Sequence, residues 1–485
     1  MNTPVTAGNG GKARADFLGH PRLLWTLLAV TVGVNFGFYG IRAFLAPYVA
    51  ETFFAGLPQS QALTQANLMF AGFGALIYAA AILGGWVADN VLGEARALRL
   101  SLWLQVVGLV FSAIPNREAF VIALAFYTLA VGLQTPLTVM IGRPYSKSDP
   151  RREGGYTLFY LAINLGSFIA PFICAAWVGA HYGYHWGFVA AAAGAVFAAV
   201  VFEWRHRRFP DAGEKPRWQY RWSTPVVIVA TLALVYPCAL LLAHPEVMTV
   251  VVYALMVLLV LYFIGSSVRR GERVQSHRYI AMLLLFIAMV LYWAWALQSA
   301  SSLNFFARDY VKAPFNFTLY QSANPLYILI LAPFIAMLWP WLDKRGINPS
   351  TPRKFGIGLL LVALSYGVML YAARYLVLPD GRITWWPLLL CYLFATVGEL
   401  ALSPIGYAMI GKLAAPNETS LAMGGWFFGV SVSYDLSGQI AALTTSGGIA
   451  GYTHVFEWLL WVGVAIAIVY LVAAPWIVKL MHGVR

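Results

Sequence analysis

The most constraining feature of this sequence is repetition. Apolar runs of about 20 residues follow one another along the chain, separated by short polar loops. A run of that length crosses the hydrocarbon core of a bilayer as an α-helix, which satisfies its own backbone hydrogen bonds where no water can. Strands of a membrane barrel would be about 10 residues long with strict alternation, and that pattern is not seen. The runs fall near 22–49, 68–88, 100–114, 120–141, 157–179 and 186–204, then 224–243 and 247–268, then 279–306, 318–338, 355–375, 385–410, 421–443 and 456–481. The layout is six, two, six. With 60% of residues hydrophobic and 11% charged, no soluble fold of this length could hide the apolar surface.

A net charge of +13 would suggest nucleic acid as the partner of a soluble protein. Here the basic residues sit in alternate inter-helix loops, which is how orientation in a bilayer is encoded, so nucleic-acid binding is set aside. Arg143, Lys147, Arg207, Arg208, Lys215, Arg269, Arg270, Lys344, Arg345, Arg353 and Lys412 fall on one side. The other side is poorer in Lys and Arg, with Arg308, Lys312, Arg374 and Arg382 as exceptions. Both termini are therefore expected in the cytoplasm. Residues 1–20 form a polar tail without a signal-peptide core, 21–204 a first bundle, 205–278 a linker with two extra helices, and 279–485 a second bundle. Cys174, Cys238 and Cys391 lie in different apolar runs, which argues for buried thiols rather than a disulfide frame or a zinc site.

Ionisable residues inside such runs point to function. Each costs about 2.5–3.5 kcal/mol or more in lipid and so should face a cavity or a partner. Glu399, in A-T-V-G-E-L-A-L-S-P, is the deepest, with Arg42 and Asp435 the other main ones. These three are expected to line a pathway between the two bundles. Asp89 closes the second run beside Arg96 and Arg99, where it would hold an inner gate through an ion pair.

Four stretches are more specific: GGWVAD at 84–89, FYLAINLGSF at 159–168, QSANPLY at 321–327 and TVGELALSP at 396–404. Together they closely resemble the proton-coupled oligopeptide transporter (POT) family, and the two-helix insert looks like that of bacterial members. The resemblance implies a major facilitator fold and a peptide or peptide-like substrate. It also implies a cell (inner) membrane location and protons as coupling partner, with no cofactor. In the family, a Glu of the tenth transporter helix and an Asn of the eighth hold the peptide's amino group, and Glu399 and Asn324 match those positions. Arg42 matches a first-helix arginine that would face the carboxylate end. Tyr39, Tyr78 and Asn164 match polar positions of the site, Trp426 matches an aromatic wall, and Gln298 stands in the seventh-helix motif.

Departures from the family pattern are as informative. Where the family's first helix carries E-x-x-E-R-F, this chain has Thr31, Val34 and Asn35 at the three charged positions. Thr135 replaces a fourth-helix lysine and Leu297 a seventh-helix glutamate. Losing one member of a buried ion pair would strand the other at roughly 3–5 kcal/mol, so their joint absence is physically coherent. It implies non-standard or absent proton coupling, with Asp435 and Glu399 as candidate carriers. It also admits amine-bearing solutes without a standard free carboxylate.

Structural readings stand beside these. Glu399 could be an acid bonded to a neighbouring helix, Arg42 could snorkel to an interface, Asp435 could bond Ser433 or Tyr434, and Tyr39 and Tyr78 could serve packing alone. No phosphate loop, H-E-x-x-H or nucleophile elbow is present, so no enzyme or ATP-driven pump is expected. The alternatives to peptide transport are a facilitator for a siderophore or cell-wall fragment and a non-transporting sensor.

Overall fold

A computed structural model describes residues 17–146, 149–205, 216, 218 and 220–484. Among the described residues, twelve helical spans are long and apolar enough to cross a membrane. In chain order the long helices are α1 (Arg22–Arg42), α2 (Gln59–Val87), α3 (Glu94–Phe111), α4 (Arg117–Gly132), α5 (Arg151–Ala170), α6 (Tyr184–Arg205), α7 (Ser223–Ala243), α8 (Pro245–Arg270), α9 (Arg273–Ala296), α10 (Ala323–Lys344), α11 (Thr351–Tyr375), α12 (Trp386–Leu413), α13 (Thr419–Leu443) and α14 (Ile449–Leu480). Helices α3 and α13 fall outside the twelve. Glu94, Arg96 and Arg99 load the first turns of α3, and α13 is rich in Gly and Ser. Residues 1–16 of the tail and the loop cations Lys147, Arg207, Arg208 and Lys215 lie outside the described residues.

Packing follows the six, two, six order. Helix α1 lies against α5 and α6, α3 against α4 and α6, and α2 against α4. In the second set, α11 lies against α12 and α14, and α9 against α11, α12 and α13. One helix pair, α7 and α8, stands in the chain between the two sets.

Several helices are longer than their apolar runs, because hydropathy does not register polar end turns. Helix α2, for instance, starts at Gln59 rather than near 68. Backbone irregularities interrupt two of the long helices. The continuation of α5, Pro171–Gly179, winds as a π-helix, since Pro171 has no N–H for the normal ladder. Helix α9 tightens into a 3-10 turn at Leu297–Ala300 and resumes as Ser302–Tyr310. Two-residue strands, Val311–Lys312 and Ile383–Thr384, pair in parallel between loops.

Both described chain ends lie on one face, where His20 meets Tyr145 at 2.6 Å and His482 meets His277 at 2.8 Å. This is the basic face. On the opposite face three of the four exceptional cations carry acids of their own: Arg308 pairs with Glu51 at 2.7 Å, Lys312 with Asp380 at 2.9 Å, and Arg374 with Glu457 at 3.0 Å.

The two bundles meet along α2 and α13. Small residues allow the approach. A side chain on Gly74 would begin 2.0 Å from the ring of Tyr434, and one on Gly438 would begin 2.3 Å from Ala71. Ser431 donates to the Ala75 carbonyl at 2.7 Å, and Thr64 and Thr445 share a 2.8 Å hydrogen bond farther toward the opposite face. Also on that side, Asn304 donates to the Ala43 carbonyl at 2.9 Å and Ser322 to the Phe168 carbonyl at 2.9 Å. These contacts hold the halves together at mid-depth and toward the opposite face.

Candidate substrate site

The centre of the site is a two-residue contact made by facing helices of the second bundle. Asn324 stands in the first turn of α10, just after a 3-10 turn that aims it inward. Its Nδ2 donates to Glu399 Oε2 on α12 at 2.9 Å and to Thr396 Oγ1, one turn earlier on α12, at 3.0 Å. Thr396 is itself fixed by donating to the Tyr392 carbonyl at 2.7 Å. Tyr292 of α9 donates to the Ala395 carbonyl at 2.6 Å and steadies the same stretch from behind. Among the described residues Glu399 has no ion-pair partner, although Arg42 lies within electrostatic reach. A carboxylate at this depth with one neutral donor holding it is a receptor for a cation.

Arg42 ends α1, in the first bundle. Its guanidinium carbon lies 5.3 Å from the centre of the Tyr39 ring, and its Nε is buried without a hydrogen-bond partner. Its electrostatic neighbours are phenols: Tyr434 first, then Tyr39, Tyr78 and Tyr392. Tyr39 also lies beside Ser167 of α5 and within reach of Glu399. The structure therefore gathers Arg42, Tyr39, Tyr78, Asn324 and Glu399 into one electrostatic neighbourhood, positive from one bundle and negative from the other. Chemically, such a neighbourhood accepts a solute with a cationic end and an electron-rich or anionic end.

Three residues selected from the sequence for this site stand apart from it, a fourth is bonded to its own helix, and the gate candidate lies at the basic face. Asp435 is not in this neighbourhood. It lies on the far side of α13, where it accepts hydrogen bonds from Thr249 of α8 at 2.8 Å and Gln439 at 2.6 Å. The reason is helical geometry: adjacent residues point about 100° apart, and it is Tyr434 that faces the centre. Trp426 is only 1% exposed. Its indole is wedged between Phe286 and Phe355, with ring centres 5.7 and 6.3 Å away, and sinks onto Gly406. Gln298 is fully enclosed, donating to the Ser437 carbonyl at 2.9 Å and accepting from Ser302 at 2.7 Å. It closes the break in α9. Asn164 is buried and donates back to the Tyr160 carbonyl of its own helix at 2.9 Å. Asp89 is exposed on a π-helical turn at the basic face, with Glu94 and Arg143 of its own bundle as electrostatic neighbours. Arg99, expected beside it, pairs instead with Glu203 at 2.6 Å.

Tyr434, which sequence reasoning passed over, is the first electrostatic neighbour of Arg42. Its ring is 3% exposed, lies on Gly74, and has the rings of Tyr78 and Phe70 at 5.7 and 6.1 Å. The signal for it was the pairing of small residues in α2, Ala71, Gly72 and Gly74, with a tyrosine one position before a buried acid.

The positions where charges were expected from the resemblance are neutral, and all but Thr135, whose hydroxyl is buried without a hydrogen-bond partner, are apolar or bonded within their own helix. Thr31 donates to the Leu27 carbonyl at 2.7 Å, Asn35 donates to the Thr31 carbonyl at 2.8 Å, and Leu297 is 2% exposed.

Comparison with known proteins decides the family. A model of the POT family matches residues 95–459. The chain belongs to the POT family. It is 34% identical to a peptide transporter of Yersinia enterocolitica over 470 residues, covering 90% of this chain and 89% of that one. It is 32% identical to a di-/tripeptide transporter of Lactococcus lactis over 509 residues, covering 98% and 100%. Among solved structures it is similar to a peptide transporter POT bound to sulfate, with a TM-score of 0.84 and 29% identity over 97% of this chain and 98% of that one. A POT family transporter bound to 5-aminolevulinic acid gives 0.83 and 27% over 96% and 98%. Membership makes this POT chain a multi-pass membrane protein of the major facilitator fold.

Proposed function

We propose that this POT member is a secondary transporter of peptides or amine-bearing peptide-like solutes, working by alternating access in a cell (inner) membrane. The basic face, with both termini, is cytoplasmic in this reading, as the Lys and Arg bias requires. The observation that carries the proposal is the 2.9 Å Asn324–Glu399 contact opposite an arginine of the other bundle that has no ion pair among the described residues. A bipolar solute bridging them gains a charge-assisted bond at each end. It thereby ties its own binding to closure of the halves. The names of the two relatives and the amine-bearing ligand of the similar structure support this substrate class.

This member is atypical in its coupling. With Thr31, Val34, Asn35, Thr135 and Leu297 in place of ionisable groups, the first-helix proton route is missing. Among the described residues Glu399 is then the acid placed, beside Asn324 and Arg42, to exchange a proton for a substrate amine. Asp435 stays outside that exchange, since its carboxylate faces α8. The test is flux in proteoliposomes. Uptake of labelled di- or tripeptide, with or without an imposed proton gradient, is expected for the purified protein and not for Glu399→Gln. Peptide-independent behaviour of both would refute the reading.

A further inference from the structure

The inserted helices α7 and α8 do not pack as a free hairpin. Each packs more extensively on a bundle than on the other insert helix. Helix α7 belongs to the first half. Near the basic face the Trp218 N–H that precedes it donates to the Asn90 carbonyl at 2.9 Å, and Trp218 meets Trp86 at 5.4 Å between ring centres. Val227 joins an apolar cluster with Ala88, Leu92, Ala97 and Leu133. At its other end Leu242 packs over Gly72 of α2, its Cδ2 3.6 Å from where a side chain there would start.

Helix α8 belongs to the second half. Near the basic face Ser266 donates to Glu418 at 2.7 Å, Arg270 pairs with Glu418 at 3.1 Å, and Phe263 meets Tyr279 at 5.3 Å. Toward the other end Thr249 donates to Asp435 at 2.8 Å. A single residue, His244, joins Ala243 at the end of α7 to Pro245 at the start of α8. Two consecutive virtual bonds of 3.8 Å hold those helix ends within about 7 Å of each other.

The consequence is asymmetric. The tie points Gly72 and Asp435 flank the seam where Gly74 meets Tyr434 and Gly438 meets Ala71. The one-residue join spans that seam. At the basic face the two insert helices are anchored to different halves and share no short link. Separation of the halves at the basic face stretches nothing, whereas separation at the opposite face must break Leu242 from Gly72, Thr249 from Asp435, or the turn itself.

We propose that the inserted pair is a clasp that resists opening at the opposite face and biases the protein toward states open at the basic face. Asp435 is its catch on the second bundle. The inference rests on the alternating-access reading, but its test reads conformation and needs no substrate. A failed flux assay and a failed clasp are therefore separate results.

The experiment places a reporter at the seam's outer end. In full-length protein with Cys174, Cys238 and Cys391 replaced by serine or alanine, Thr445→Cys is introduced and reconstituted. Its labelling by a membrane-impermeant maleimide is then timed without ligand. Two slackened variants are compared with it: Thr249→Val with Asp435→Leu, which removes the catch and leaves no buried acid unpaired, and insertion of a flexible Gly/Ser segment after His244, which leaves every packed contact intact. Each is expected to raise the labelling rate at least about fivefold, the low end of conformational couplings. Ser266→Ala, which loosens only the basic-face anchor, is expected to leave it within about twofold. An unchanged rate in the linker variant, or an equal rise in Ser266→Ala, overturns the clasp. Should the catch variant fail to fold, the linker variant decides alone.

Discussion

Replacing Glu399 by glutamine tests the central contact with the least disturbance. Glutamine keeps the length and an oxygen to accept from Asn324 Nδ2, now 2.9 Å from the carboxylate, so the helix pairing of α10 and α12 should survive. What is lost is the charge. Truncating one partner of a desolvated charged hydrogen bond costs about 2–5 kcal/mol of binding, and the lower half of that range applies because Thr396 and Asn324 remain as neutral acceptors. At about 1.4 kcal/mol per tenfold, a loss of 2–3 kcal/mol weakens binding about 30- to 150-fold. Calorimetric titration of purified protein with a dipeptide and its N-acetylated analogue reads this directly. Wild type should prefer the free amine by about that factor, and Glu399→Gln should abolish the preference while its melting temperature holds or rises, since a buried charge has been removed. A variant that still prefers the free amine by more than about threefold would place the amine elsewhere and refute the assignment.

Three further outcomes follow from other contacts. Gly74→Ala puts a methyl group into the Tyr434 ring, 2.0 Å from its nearest atom. It should cost about 1–3 kcal/mol of stability, seen as a lower melting temperature that adding Tyr434→Ala restores. Arg308→Gln removes the 2.7 Å bond to Glu51 that joins the bundles at the opposite face, and faster maleimide labelling of a cysteine at position 445 checks the expected loosening. Glu418 is buried, which alone would raise its pKa, yet donors from Tyr279, Ser266 and Arg270 hold it below the usual carboxylate value. Its stabilisation is therefore present above the unfolded value near 4.3 and lost as pH falls through the lower folded value. Melting temperature against pH should lose that acid-side slope in Glu418→Gln.

How much could be read beforehand depended on whether a residue's meaning is local. The succession of long helices and the acid inside one of them, Glu399, were legible because a long apolar run and a charge inside it carry a cost wherever they are placed. The family pattern pointed to Asn324 and Arg42, which the structure places beside Glu399. Asp435 was misplaced because nothing in S-V-S-Y-D-L-S-G states which side of the helix faces the centre, and a rotation of one residue exchanges it with Tyr434. Trp426 and Gln298 look like site residues by position. Their enclosure comes from partners distant in sequence, Gly406 and Ser437. The clasp was invisible for the same reason, since it exists only as the relation of Leu242 to Gly72 and Thr249 to Asp435.

The paired charges of the opposite face bear on how a solute first arrives. Arg308, Lys312 and Arg374 are each neutralised by an acid within 3.0 Å, so little field extends from them into the surrounding water. These three pairs therefore neither pull nor turn a zwitterion approaching from that side, which meets separated charges deeper in. Its capture should depend on diffusion and shape, and initial uptake rates should change less than about twofold when salt is raised from low to physiological strength.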